Sequence, residues 1–210
     1  MPINKNSAFG ALAVLGLGFA AVPKADAAYT AYLYQDGSNV VGTGSGSLNL
    51  TALALQGTDI TDASADVEPS NAVFALGPIT VGAGIDYYSG FSGPTTLGSG
   101  SSDQFASTGS GNIIDLSGNS GDLGVPTGYT SGSTLGTSTD TWDNTTLAGM
   151  GIDNGKYVWS WGLGQSVDTF TLYVGTDPSS NTPEPASLAL LGTGIVGLAL
   201  KRRRKSARAR

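Results

Sequence analysis

The stretch from Gly155 to Gly175, GKYVWSWGLGQSVDTFTLYVG, leaves this chain the fewest choices of fold. Tyr157, Trp159 and Trp161 fall on one face of an extended strand, with Val158 and Ser160 on the other, because successive strand side chains point to opposite sides. After a bend at Gly162-Leu163-Gly164, Phe170, Leu172 and Val174 alternate in the same way with Thr169, Thr171 and Tyr173. The spacing predicts a hairpin with one strongly apolar face, packed on a partner sheet to form the core. Further short runs rich in β-branched and aromatic residues read as strands: Tyr29 to Tyr34, Ser47 to Leu55, Ala72 to Leu76, Ile79 to Tyr87, Asn112 to Leu116 and Tyr129 to Leu135. Turn clusters such as Asp36-Gly37-Ser38-Asn39, Gly77-Pro78 and Asp153-Asn154-Gly155 separate them. No helical periodicity competes. The pattern predicts an all-β domain, a β-sandwich or jelly-roll-like arrangement. Gly90 to Thr139 also fits a second reading, in which a Gly/Ser-rich polar stretch buries too little to order itself.

Both ends of the chain differ from this middle. Lys5 precedes an apolar, small-residue run from Ala8 to Val22, and Ala25-Asp26-Ala27 follows as an A-x-A site. That is the layout of a secretory signal peptide, here residues 1–27. Cleavage directed by Ala25 and Ala27 leaves Ala28 at the start of a β ectodomain, residues 28–178. Residues 179–210 carry Pro183-Glu184-Pro185 near their start, continue through 15 uncharged residues from Ala186 to Leu200, and finish in a basic tail, residues 201–210, led by Lys201, Arg202, Arg203, Arg204 and Lys205. As a helix the apolar run is about 22 Å long, short of a hydrocarbon core of about 30 Å. Snorkelling cations and an interfacial Pro185 relieve that mismatch. The tail then stops transfer and stays cytoplasmic. Pro183 and Pro185 lack amide hydrogens and have fixed φ, which keeps the segment extended at the membrane surface.

Charge and residue inventory exclude several functions. Between Ala28 and Thr182 the one base, Lys156, faces fourteen acids, a net charge of −13. Such a surface repels nucleic acid, whose binding needs Lys and Arg to displace counterions. With no cysteine and no histidine in the chain, Ser-His-Asp and Cys-His catalysis, thiolate or imidazole zinc sites, and haem ligation by these residues are all ruled out. A carboxylate-pair glycosidase is the one enzyme class left open. Its acids would have no arginine or histidine nearby to tune them, so the expectation is a protein without enzymatic activity or a bound cofactor.

Three other patterns carry candidate chemistry. Asp115 to Asp122, DLSGNSGD, alternates oxygen ligands as calcium loops do, but Pro126 stands where an EF-hand has glutamate, and a polar turn is the simpler reading. Trp142, Tyr157, Trp159 and Trp161, or Tyr29, Tyr32, Tyr34, Tyr87 and Tyr88, could stack on sugar rings, although alternation along a strand favours core burial of the first set. Thr169-Phe170-Thr171 is a T-x-T too short to set out the flat periodic array that ice binding requires.

The ending resembles the PEP-CTERM sorting domain of Gram-negative bacteria, through Pro183-Glu184-Pro185, the glycine-containing apolar stretch to Leu200, and the basic cluster from Lys201. The resemblance implies recognition and cleavage near the Pro-Glu-Pro by an exosortase, a membrane-embedded transpeptidase-like protease. It implies release or attachment at the cell surface, after a stage as an inner-membrane-anchored precursor. The segment also carries an ice-binding-protein C-terminal label, which describes the sorting end alone. Thr141 to Thr146 and the Tyr157–Leu172 hairpin are similar to a recurring group of PEP-CTERM proteins, which implies association with exopolysaccharide or biofilm and no established activity. The expected function is thus that of an exported, non-enzymatic envelope or extracellular-matrix protein. The competing one is a surface carbohydrate-binding module using exposed aromatics.

Overall fold

The computed structural model describes residues 28–61, 64–79, 82 and 84–181. Among them are thirteen strands: β1 (Ala28–Asp36), β2 (Asn39–Ser47), β3 (Ala54–Ile60), β4 (Asp66–Glu68), β5 (Val73–Leu76), β6 (Ile85–Ser89), β7 (Gln104–Phe105), β8 (Thr108–Ser110), β9 (Ile114–Ser117), β10 (Asp122–Pro126), β11 (Thr134–Trp142), β12 (Gly155–Trp161) and β13 (Asp168–Val174). They form two sheets. The first has the order β12-β13-β1-β2-β11-β8, the second β3-β6-β10-β9-β5-β4-β7. The all-β expectation holds. β12 and β13 pair antiparallel as predicted, with Trp159 opposite Phe170. β1 runs parallel to β13, Tyr29 opposite Phe170 and Leu33 opposite Val174, and pairs antiparallel with β2 on its other side.

The inner faces of the sheets share one core. Tyr29, Ala31, Leu33, Trp159, Phe170 and Leu172 from the first meet Phe74, Leu76, Ile114, Leu116 and Leu123 from the second. Phe170 lies at its centre, with ring centroids 5.1 Å from Tyr29, 5.8 Å from Trp159 and 6.3 Å from Phe74. All three tryptophans are buried, Trp159 fully. Each indole N–H meets a carbonyl: Trp159 donates to Pro94 at 2.8 Å, Trp161 to Asn49 at 2.8 Å and Trp142 to Gln104 at 2.7 Å. Burial of a tryptophan depends on such a partner.

Several expected strands shift, for identifiable reasons. Ser47 to Leu55 is interrupted by a 3-10 turn, Leu50–Ala52, because the Asn49 side chain caps it by accepting from the Thr51 N–H at 3.1 Å. Tyr129 to Ser133 is a turn pinned by the Tyr129 hydroxyl, which accepts from the Leu48 N–H at 2.9 Å and donates to the Ser133 carbonyl at 2.5 Å; strand β11 begins only at Thr134. In the Ile79 to Tyr87 region the strand starts at Ile85. The reading of Gly90 to Thr139 as unordered is overturned, since β7 to β10 and much of β11 lie there. Its loops are tied to β12 and neighbouring turns by the Ser92–Ser160 and Gly98–Ile152 bridges.

The strand that composition hid is β2. Its inward positions include Gly42 and Gly44. A Cβ on Gly42 would lie 2.8 Å from Leu76 Cδ2 and one on Gly44 2.7 Å from Tyr29 Oη. Those glycines make room for large neighbours, and turn propensity is overridden by packing.

Two carboxyls, the buried Asp140 and the half-buried Asp66, are shifted most by the fold. Asp140 is 1% exposed. Its Oδ2 accepts from the Gly77 N–H at 2.9 Å, while Oδ1 has no hydrogen-bond partner among the described residues. Burial pushes the Asp140 carboxyl up to about 7 against the pull of the Gly77 N–H. Asp66 is also raised to about 7, by burial first and then by Asp115, Asp103 and Glu68.

Replacing the centre of the core gives a direct test of this packing. Trp159→Ala is expected to cost about 3–5 kcal/mol, while Leu163→Ala, at a position 87% exposed, should stay within about 0.5 kcal/mol; denaturant unfolding of both variants measures the contrast. The carboxyls give a second test. Unfolded, they titrate near the ordinary value of 3.8, and folded near 7. The folded state therefore binds protons more tightly between those values, so stability falls as pH rises from about 4 to about 7 and levels off above. Melting temperatures across this range should show the decline, with a shallower slope for Asp140→Asn.

Candidate functional site

Alternation that buries one face of each strand of the first sheet presents the other outward. β13 turns Thr169, Thr171 and Tyr173 out, β1 turns Thr30, Tyr32 and Tyr34 out, β2 turns Val41, Thr43 and Ser45 out, and β11 turns Thr137, Thr139 and Thr141 out, on the face opposite the buried positions of each strand. Register then aligns these residues in rows across the sheet. One row runs Val158, Thr171, Thr30, Ser45, Thr137. The next runs Lys156, Tyr173, Tyr32, Thr43, Thr139.

Contacts knit the second row together. The Lys156 ammonium lies 5.5 Å from the centre of the Tyr173 ring. Tyr173 and Tyr32 stack with centroids 5.2 Å apart and planes within 16°. The Thr43 hydroxyl is 3.3 Å from that of Thr139 and donates to the Ser138 carbonyl at 3.2 Å. No carboxylate occurs in either row, in a domain that carries fourteen acids. Asp36 ends β1 at one rim, and Asp177 lies near enough to Tyr34 to raise its hydroxyl, after the larger effect of burial.

The second sheet differs. On its outer face Tyr87 reaches over Gly124 and its hydroxyl donates to Asp115 Oδ2 at 2.7 Å, and the field of Asp115 adds to that of Asp103 and Glu68 on Asp66. Among the described residues no group of three or more acids is arranged to hold a metal ion. The Asp115 to Asp122 stretch, with its calcium-loop spacing, is the β9–β10 hairpin, closed by the Gly121 N–H donating to the Ser117 carbonyl at 2.9 Å.

The sequence offers two aromatic sets for sugar stacking, and the structure separates them. Trp142, Trp159, Trp161 and Tyr29 are buried and offer no platform. Tyr157 is half-buried, its hydroxyl donating to the Asp153 carbonyl at 2.9 Å. Tyr32 and Tyr34 do lie on the outer face, joined there by Tyr173, which its place in the hairpin alone does not single out. The threonine pattern also changes meaning in the fold. Thr169 and Thr171 of β13 and Thr137, Thr139 and Thr141 of β11 are alternating threonine runs far apart in the sequence, and strand pairing sets them with Thr30 and Thr43 on one face. Counting outward positions strand by strand finds these rows once β2 and β11 are recognised.

Of the processing residues, Ala28 opens β1, opposite Thr169. Ala25, Ala27, Pro183, Glu184, Pro185, Lys201, Arg202, Arg203, Arg204 and Lys205, and the apolar run 186–200, lie outside the described residues. Among the described residues no helix is long and apolar enough to cross a membrane. After β13 the chain makes a 3-10 turn, Pro178–Asn181. From the end of that turn the chain is similar to a known family: the PEP-CTERM protein-sorting motif matches residues 181–204. No curated protein and no solved structure matches the chain. The chain thus carries a PEP-CTERM protein-sorting motif directly behind a two-sheet, all-β domain.

Proposed function

We propose that this protein is an exported, non-enzymatic component of the cell envelope or extracellular matrix, associated with exopolysaccharide and trimmed at Pro183-Glu184-Pro185. The observation that carries the proposal is the sorting motif, which implies processing by an exosortase and delivery to the cell surface. The motif begins seven residues after Val174, the last residue of β13, so the domain stands close to the membrane while the segment is held there. In this scheme the apolar run detains the chain, Lys201 to Lys205 keep the tail from crossing, and the two prolines hold the cleavage region extended. Removal of residues 1–27 frees Ala28 to complete β1.

Several features support a structural role over a catalytic one. With neither histidine nor cysteine, the chain holds no side chain whose unperturbed pKa lies near neutrality. The ectodomain's charge of −13 keeps it hydrated and apart from other anionic surfaces. The second reading, carbohydrate binding through exposed aromatics, is favoured by the Tyr32–Tyr173 stack on the outer face and moves from the tryptophans to the tyrosines.

Intact mass and fractionation of the protein from its own cells test the processing scheme. The surface form is expected to start at or next to Ala28 and to end near Pro185. Replacing Pro183, Glu184 and Pro185 together with alanine should leave an uncut precursor in the membrane fraction. A surface form still ending in Arg210 would overturn cleavage and leave anchorage alone.

A further inference from the structure

We infer that the outer face of the first sheet is a docking surface for a neutral polysaccharide, laid along the row Lys156, Tyr173, Tyr32, Thr43, Thr139. This inference rests on the reading of the protein as an exopolysaccharide-associated surface protein and gives that association a place.

Shape comes first. The row crosses five neighbouring strands in register. At the usual strand separation it is about 19 Å long, and a parallel row, from Val158 to Thr137, runs beside it. A linear, repeating polymer fits such a strip better than a compact small molecule, which binds in concave sites.

Chemistry comes second. Threonine hydroxyls both donate and accept hydrogen bonds, and tyrosine adds an apolar ring beside a polar tip. A sugar chain presents the same pair of features, hydroxyl groups and apolar C–H faces. The two tyrosines are already stacked on each other, with Lys156 over the Tyr173 ring, and Thr43 is held by Ser138 and Thr139. The strip is therefore pre-organised, which reduces the entropy lost on binding.

Charge decides the ligand class. The strip has no carboxylate and one cation, while the ectodomain as a whole carries −13. An acidic polymer would be repelled by that field, and a single lysine does not offset it. A neutral chain meets no such barrier, and it can hydrogen-bond without leaving an unpaired ionic group in the contact.

Affinity gel electrophoresis of the mature protein recovered from its cells tests this, with soluble β-glucan, galactomannan and dextran as neutral probes and alginate as the acidic one. At least one neutral probe should retard the protein, and alginate should not. Tyr32→Ala with Tyr173→Ala should weaken retardation about tenfold with little change in melting temperature, whereas Asp103→Ser, in an exposed loop, should leave it unchanged. If the double tyrosine variant fails to fold, Thr43→Val with Thr139→Val, which removes two hydroxyls at nearly constant volume, takes its place with the same expectation. Retardation that survives these substitutions overturns the inference, as does stronger retardation by alginate. Absence of retardation by every neutral probe also overturns it, in a protein that fractionation places at the cell surface. Sedimentation showing a dimer that the tyrosine variant dissolves would overturn it too, by assigning the face to a second copy of this chain. Failure of the sorting reading shows separately, as a protein absent from the surface fraction.

Discussion

The fold depends on one meeting of rings. Phe170 of β13 packs against Tyr29 from β1, Trp159 from β12 and Phe74 from the facing sheet, all within 6.3 Å between centroids. These contacts join three strands of one sheet to the other sheet through a single side chain. The chain has no cysteine, so no disulfide shares this task, and the apolar core must hold the two layers together on its own. Aromatic packing suits that role because each ring removes a large area from water and fixes its partners' orientation. The rest of the architecture reads as accommodation to it. Glycines at 42 and 44 withdraw to admit Tyr29, Leu76 and Trp142, and Gly118 passes so close to Trp159 that a Cβ there would lie 2.9 Å from its indole nitrogen.

How much of this the sequence discloses depends on where packing is local. The β12–β13 hairpin is legible because its apolar residues alternate within one short stretch and its partner lies next to it in the chain. β1 is legible through the same kind of alternation. β2 is hidden, since inward positions at its middle hold no side chain and its glycines make sense only beside Tyr29 of the neighbouring strand and Leu76 and Trp142 from two distant segments. β11 is displaced because Tyr129 reads as a strand residue while its hydroxyl closes a turn on Leu48 and Ser133. The outer-face rows are illegible in principle from one strand at a time. They exist through register, which is set by the burial of the opposite face. The sorting motif is the reverse case: it is carried by consecutive residues and needs no fold to be read.

The two faces of the domain also divide its charge. Exposed and half-buried acids collect on the second sheet, on the loops and at the rim near Asp36 and Asp177, while Asp140 and Asp168 of the first sheet are buried. The outer face of the first sheet is left with hydroxyls and tyrosines. A strongly acidic domain therefore keeps one side free of carboxylates along these rows.

The parallel pairing of β1 with β13 has a mechanical consequence. The chain leaves the domain through Val174, at the end of a strand flanked on both sides, by β12 and by β1. Tension applied along the axis of β13 at its C-terminal end would act on a strand held from both sides. Its ladders with β12 and β1 then bear the force in shear, with the hydrogen bonds resisting together, whereas a strand peeled from an edge would lose its bonds in succession.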